Sequence, residues 1–131
     1  MGISGWWARR VWMTLAALNG FISVALGAFA AHGISDAHAA ELVKTAATYQ
    51  FMHAMATTAS ATFMKVGAVR ARFAPGFFLP GILFFSGSLY AMAAGAPSWV
   101  GAITPIGGLL FLIGWGVLAW AGLQADTRDG V

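Results

Sequence analysis

Four long apolar runs alternate with short polar segments along the chain. The runs cover about residues 11–31, 46–66, 75–95 and 103–123. A helix of about 20 apolar residues crosses the roughly 30 Å hydrocarbon core of a bilayer, so each run predicts one transmembrane helix. The strict alternation of apolar and polar residues that membrane β-strands need does not occur in these runs. The pattern therefore predicts an all-α fold, an integral membrane four-helix bundle.

The polar segment before the second run, about residues 36–45, is also predicted to be helical. Ser35 or Asp36 is a suitable N-cap, and Glu41 and Lys44 are three residues apart, on one face of a helix. A helix from Asp36 through the second run would measure about 43 Å at 1.5 Å per residue. Because this exceeds the membrane thickness, we expect its first two or three turns to form an interfacial segment on the outer surface.

The composition agrees with a membrane protein. Of the 131 residues, 60% are hydrophobic and 8% are charged, whereas a soluble domain has roughly 25% charged residues. With so few charges, a soluble surface could not avoid large apolar patches. The chain has no cysteine, which excludes disulfides and thiolate metal sites. The length fits a single membrane domain.

The basic residues predict the orientation of the bundle. With four spans, the N-terminus, the second loop and the C-terminus lie on one side, and the opposite side holds only Lys44. The basic residues of the first side are Arg9, Arg10, Lys65, Arg70, Arg72 and Arg128. Cytoplasmic loops of membrane proteins carry the excess of Lys and Arg, so both termini are predicted to be cytoplasmic. This interpretation also accounts for the net charge of +3 without a nucleic-acid partner.

The first apolar run could be either a retained span or a cleaved signal peptide. Arg9 and Arg10 precede it, and residues 28–30 have the A-x-A form of a cleavage site. However, the run is longer than a usual signal core and Asn19 interrupts it, which favours retention. Its small and polar residues at four-residue spacing then predict a helix-packing stripe, since such residues let helices approach closely in lipid. The stripe consists of Asn19, Ser23, Gly27 and Ala31.

Several polar side chains are expected to meet near the outer leaflet. Polar residues at membrane depth usually face the bundle interior or a cavity, and they are candidates for a functional site. The predicted cluster consists of His32, Tyr49, Gln50, His53, Tyr90 and Thr104. Three interpretations remain open: hydrogen bonds that tie helices together, a proton relay through histidine, and a metal or haem site that could include His38. For His32 we expect a hydrogen bond to the second or third span.

Four motifs in order connect the chain with a known family. They are GAFAAHG at 27–33, YQFMHAMA at 49–56, PGILFFSGSLYAMA at 80–93 and ITPIGGLLFLIGW at 103–115. This pattern resembles the domain-of-unknown-function 423 family, small inner-membrane proteins of bacteria with relatives in mitochondria-bearing organisms. The resemblance covers about residues 19–123 and implies a four-span helical protein. It implies no activity and no catalytic residues.

These features favour a protein that is not an enzyme and acts through contacts between helices. No Ser-His-Asp set is predicted, because Asp36, Asp126 and Asp129 fall in a loop and the tail. We therefore predict a structural, assembly or accessory protein of the bacterial inner (plasma) membrane. Its partners would be the bilayer and either further copies of itself or a larger membrane complex, with no cofactor and no nucleic acid. The alternatives are a small-solute or proton conductor acting as an oligomer and, less favoured, a metal- or haem-binding protein.

Overall fold

The structure, a computed structural model, describes residues 3–126, with side chains from residue 9 onward. This part of the chain is helical and contains no strand, which confirms the all-α prediction. Its four α-helices are α1 (Ile3–His32), α2 (Ala37–Lys65), α3 (Pro75–Ala93) and α4 (Thr104–Gly122). Two short 3₁₀ helices, Val69–Phe73 and Ser98–Ala102, connect α2 to α3 and α3 to α4.

Three of the helical segments are long and apolar enough to cross a membrane. They are Arg9–His32, Val69–Ala93 and Ser98–Gly122. Helix α2 is less apolar because it carries polar side chains that are buried inside the protein, among them Gln50, His53, Thr57 and Ser60. Its lower hydropathy therefore reflects the polar contacts that it makes with its neighbours in the bundle.

Consecutive helices pack antiparallel, and α2 and α3 form the centre. A Cβ placed on Gly27 of α1 would lie 3.7 Å from the Ala47 methyl group of α2. Asn19, which precedes Gly27 in α1, contacts Gln50, which follows Ala47 in α2, so the two helices run in opposite directions. Helix α1 packs mainly on α2, and α4 packs mainly on α3. In the described part of the chain α1 does not contact α4, and it touches α3 at few points. A groove therefore remains between α1 and α3, with α2 behind it.

Three glycines allow α3 and α4 to approach each other closely. A Cβ on Gly107 would overlap the backbone nitrogen of Phe85, so no larger residue fits there without a shift of the helix. A Cβ on Gly81 would lie 2.6 Å from the Phe111 ring, and one on Gly114 would lie 2.5 Å from the Phe78 ring. The glycines thus provide the space in which two phenylalanine rings of the core are held.

The loop between α2 and α3 holds the C-terminal end of α4. The backbone N–H of Arg70 donates to Gln124 Oε1 at 2.9 Å, and its guanidinium donates to the carbonyl of Trp120 at 3.2 Å. The N–H of Asp126 donates to the carbonyl of Val66 at 2.6 Å. This end also holds most of the basic residues and is called the basic end; its described members are Arg9, Arg10, Lys65, Arg70 and Arg72. Arg128 lies outside the described residues.

At the opposite end, α2 begins where its capping residue predicts. The carboxylate of Asp36 accepts a hydrogen bond from the N–H of Ala39 at 2.8 Å, which satisfies one free donor of the first turn. Glu41 and Lys44 form an exposed ion pair with an N–O distance of 3.8 Å. Residues 36–45 are continuous with the rest of α2, and Val43 in this segment is buried. The first turns of α2 therefore take part in the bundle.

Candidate functional site

A chain of hydrogen bonds joins α1, α2 and α3 through their side chains. The Tyr90 hydroxyl donates to Gln50 Oε1 at 2.7 Å, and Gln50 Nε2 donates to Asn19 Oδ1 at 2.9 Å. The Asn19 amide in turn donates to the carbonyl of Leu15 at 2.8 Å. Gln50 is at the centre of this chain and uses both ends of its amide, one for each neighbouring helix. The three side chains thus form one connection across the interior.

His53 joins α2 to α4 and has both ring nitrogens occupied. Its Nδ1 lies 2.7 Å from the carbonyl oxygen of Tyr49, and its Nε2 lies 3.1 Å from the indole Nε1 of Trp115. A carbonyl can only accept and an indole N–H can only donate. Nδ1 therefore carries the proton, Nε2 accepts, and the ring is neutral. This tautomer leaves no nitrogen lone pair of His53 for a metal ion.

Aromatic rings enclose His53 on several sides. Its ring stacks on Phe111 with centroids 3.5 Å apart, and Phe78 and Trp115 lie at 5.7 and 6.0 Å. Only 2% of the His53 surface is exposed. Nearby, the ring centroids of Tyr49 in α2 and Phe85 in α3 are 4.7 Å apart. The His53 imidazole is thus fully hydrogen-bonded and is surrounded by apolar aromatic rings.

Hydroxyl groups supply further ties between the helices. Ser86 of α3 donates to the carbonyl of Ala46 in α2 at 2.7 Å, and Ser88 of α3 is hydrogen-bonded to Thr104 at the start of α4. Thr57 and Ser60 donate to carbonyls of their own helix. Among the described residues, every buried side-chain nitrogen and oxygen has a hydrogen-bond partner. The polar interior is therefore saturated by contacts within the chain.

The structure brings only part of the predicted cluster together. Gln50 bonds to Tyr90, and His53 bonds to the Tyr49 carbonyl, whereas Thr104 pairs with Ser88 instead. His32 ends α1, is exposed, and forms no hydrogen bond with any described residue. The predicted bond from His32 to the second or third span is therefore not found in this structure.

The position of His53 explains the difference. Helix α2 begins at Ala37, nine residues before the second apolar run, so His53 lies about 24 Å along the helix at 1.5 Å per residue. This places it deep in the bundle rather than near the outer end, where the apolar run alone had placed it. His32 stays at that end, and the two histidines are separated by a little more than half the length of α2.

The small-residue stripe of α1 follows the helix contact only in part. Ser23 is buried, Gly27 packs against Ala47, and Asn19 bonds to Gln50, but Ala31 is exposed. Positions four apart advance by about 40° around a helix at each step, so Ala31 has rotated away from α2. The contact instead continues through Ala30, which is buried like Ala16 and Ser23 at seven-residue spacing. Ser23 donates to the carbonyl of Gly20 in its own helix.

The sequence profile described as "Protein of unknown function (DUF423)" matches residues 26–108, more than half of the chain. The chain belongs to this family. A UPF0382 membrane protein of Haemophilus influenzae is 47% identical over 122 residues, which cover 91% of this chain and 98% of the relative. A UPF0382 membrane protein of Staphylococcus epidermidis is 39% identical over 118 residues, which cover 88% and 97%. One from Schizosaccharomyces pombe is 33% identical over 117 residues, which cover 82% and 97%. No solved structure matches the chain.

Two residues of this DUF423 protein were missed as members of the polar layer. Trp115 and Phe111 lie in the most apolar stretch of α4, where a hydrophobic pattern alone predicts contact with lipid. They are four residues apart, on one face of the helix, as are Tyr49 and His53 on α2. Two aromatic pairs at this spacing are the signal that could have indicated a shared contact. Only the packing of the helices shows that Trp115 is the residue that donates a hydrogen bond to His53.

Proposed function

We propose that this membrane protein has a structural, assembly or accessory role and acts through contacts of its outer helix surface, not through catalysis. The proposal rests on the complete hydrogen bonding of the buried polar side chains in the described residues. Each buried polar atom of the described residues is already hydrogen-bonded, and His53 is locked between α2 and α4. A polar interior of this kind stabilises helix packing and offers few free groups for chemistry.

Helix α1 belongs to the least buried of the three apolar helical segments, and we propose it as the element that contacts another membrane protein. It packs mainly on α2, and its large apolar side chains point outward; Phe21 is 75% exposed and Val24 is 62% exposed. The buried residues of its membrane segment are small, namely Ala16, Ser23 and Ala30. Since small residues support close packing within the chain, the bulky outer face of α1 is free for lipid or for a partner helix.

A small-solute or proton conductor is the second candidate, supported by one observation. Asn19, Gln50 and Tyr90 line a cavity of about 290 Å³ between α1 and α3. Polar groups at membrane depth that face a cavity are a usual feature of transport paths. In this chain their main bonds are to each other, so we favour the structural role and treat conduction as the alternative outcome of the test.

Purification from native membranes distinguishes the two candidates. The tagged full chain is extracted in mild detergent, and the co-purifying proteins are quantified against it. The proposal predicts a partner at a constant ratio, with less partner after Phe21→Ala and no change after the control Leu112→Ala on α4, which is also exposed. A chain without such a partner that supports ion or solute flux in liposomes would favour the conductor instead.

We further infer that the protein is a multi-pass protein of the bacterial inner membrane, with both termini in the cytoplasm. The basic end of the bundle carries five Lys or Arg residues in the described part, and the opposite end carries Lys44 alone, paired with Glu41. An excess of basic residues marks the cytoplasmic side of bacterial membrane proteins. The same family resemblance that implies four spans supports this location.

A further inference from the structure

The groove between α1 and α3 is an open feature of the fold with its own chemistry. Two cavities lie along it: one of about 440 Å³ at the basic end and one of about 290 Å³ deeper in the bundle. Leu79 lines both, so they are adjacent sections of one groove. The groove exists because α1 and α3 both pack on α2 but touch each other at few points.

The walls of the groove section at the basic end are mostly apolar. They are formed by one side of α1 and by the first turns of α3, with Val11, Trp12, Pro75, Leu79 and Pro80 as the main residues. Further in, Leu15, Ile82 and Leu83 continue the apolar wall. The deeper section is also lined by Asn19, Gln50, Ser86 and Tyr90, whose polar groups are hydrogen-bonded within the chain. An apolar groove between two membrane helices suits a hydrocarbon chain, because the chain loses no hydrogen bond when it enters.

The mouth of the groove carries a positive charge and free donors. Arg72 is exposed, and its guanidinium stacks on the Phe73 ring at 4.6 Å. Within the described residues it forms no hydrogen bond and no ion pair. The indole N–H of Trp12, on the facing wall, likewise has no acceptor among these residues. Arginine binds phosphate through its planar set of N–H groups, and tryptophan is enriched where its N–H meets the headgroup region.

We propose that the groove binds one anionic phospholipid from the leaflet at the basic end. Arg72 holds the phosphate, Trp12 donates to the glycerol ester region, and one acyl chain lies between α1 and α3 alongside Leu79. The combination of a charged mouth and the apolar walls next to it favours this occupant over a protein helix, which would need no phosphate-binding group at the end of the groove. The bound lipid replaces the side-chain contacts that α1 and α3 do not make with each other.

The test is native mass spectrometry of the purified, delipidated full chain with added phospholipid. Phosphatidylglycerol and phosphatidylcholine with identical acyl chains are compared as probes. We expect one phosphatidylglycerol per chain to be retained at a several-fold lower concentration than phosphatidylcholine. Arg72→Gln should weaken phosphatidylglycerol retention about fivefold, the order expected for loss of one basic residue near an anionic surface. The control Lys65→Gln removes the same charge at the same end but outside the groove.

A second pair of variants tests the acyl chain separately from the charge. Gly76 lines the groove and Gly116 lies on α4, and a Cβ at either position meets nothing within 4 Å. Gly76→Leu fills the groove and should reduce retention of both lipids, whereas Gly116→Leu should retain them as the unmodified chain does. Thermal unfolding of both variants is measured alongside, to check that each is folded.

Four results would overturn the proposal. Equal retention of the two lipids by the unmodified chain would remove the anionic preference. Equal losses in Arg72→Gln and Lys65→Gln would reduce the effect to general charge, and unchanged retention in Gly76→Leu would exclude the groove. Release of a bound protein, rather than lipid, by Gly76→Leu in native membranes would also contradict it.

Discussion

The imidazole of His53 lies flat on the phenyl ring of Phe111, with centroids 3.5 Å apart and planes 5° from parallel. This contact joins α2 to α4, although few other parts of the two helices approach each other. It is reinforced in the plane of the imidazole by the bond from Trp115 to Nε2. One polar residue thus connects α2 to α4 both by ring stacking and by a hydrogen bond.

The bond between Trp115 and His53 should contribute measurably to stability. Trp115→Phe removes the donor and leaves the Nε2 acceptor buried, which lowers the free energy of unfolding. Hydrogen bonds between membrane helices contribute about 0.6 kcal/mol on average and up to about 1.7. A double-mutant cycle with His53→Phe, measured by unfolding in detergent micelles, should therefore give a coupling energy in this range. A coupling of zero would mean that the two side chains do not interact.

Tyr90 and Tyr49 provide a matched pair for the bond at Gln50. The Tyr90 hydroxyl donates to Gln50, whereas the Tyr49 hydroxyl has no hydrogen bond with any described residue. Tyr90→Phe should lower the free energy of unfolding by about 0.6–1.7 kcal/mol, and Tyr49→Phe should leave it nearly unchanged. The same losses in both variants would indicate that the hydroxyl bond to Gln50 is not a significant tie between α2 and α3.

Gly107 should be the least tolerant glycine of α4. Because a Cβ there overlaps the backbone of Phe85, Gly107→Ala must push α3 and α4 apart, at a cost of about 1–3 kcal/mol. Gly116 faces open space, so Gly116→Ala should be neutral or slightly stabilising, since alanine favours helix. Thermal unfolding of the two variants compares them directly, and a larger loss of stability in Gly116→Ala would contradict the close approach of α3 and α4 at Gly107.

The orientation can be tested with single cysteines, because the natural chain has none. Ser98 and Val69 are exposed and lie in the two short 3₁₀ helices at opposite ends of the bundle. A membrane-impermeant thiol reagent added to intact cells should label Ser98→Cys and not Val69→Cys. Labelling of Val69→Cys alone would reverse the orientation that the basic residues predict.

The sequence predicts the helices of this protein better than it predicts their contacts. Long apolar runs and the capping residue Asp36 are local signals, and the structure has α2 from Ala37 to Lys65 close to the expected limits. The apolar run that predicts the position of His53 begins only at residue 46, whereas the more polar first turns of α2 already belong to the bundle. His53 therefore lies deeper in the bundle than the run alone predicts. Whether Ala30 or Ala31 faces α2 depends on the rotation of a whole helix, which four-residue spacing alone cannot define over three turns.

The partner of each polar side chain was harder still to predict. Gln50 is bonded to α1 and α3 together, and His53 reaches a tryptophan 62 residues later in the chain. Such pairs depend on which helices become neighbours, and every span offers several hydroxyl and amide groups. Buried polar atoms must find a partner, but the sequence does not say which one.

Hydrogen bonds in the interior tie the bundle together, and we propose that the outer face of α1 contacts another protein. A photo-crosslinking amino acid placed at Phe21 in native membranes detects such a contact, with Leu112 on α4 as the exposed control. We expect one discrete protein adduct from position 21, identified by mass as a second copy or a different protein, and only lipid adducts from position 112. Lipid adducts alone from both positions would contradict a role through helix contacts at α1.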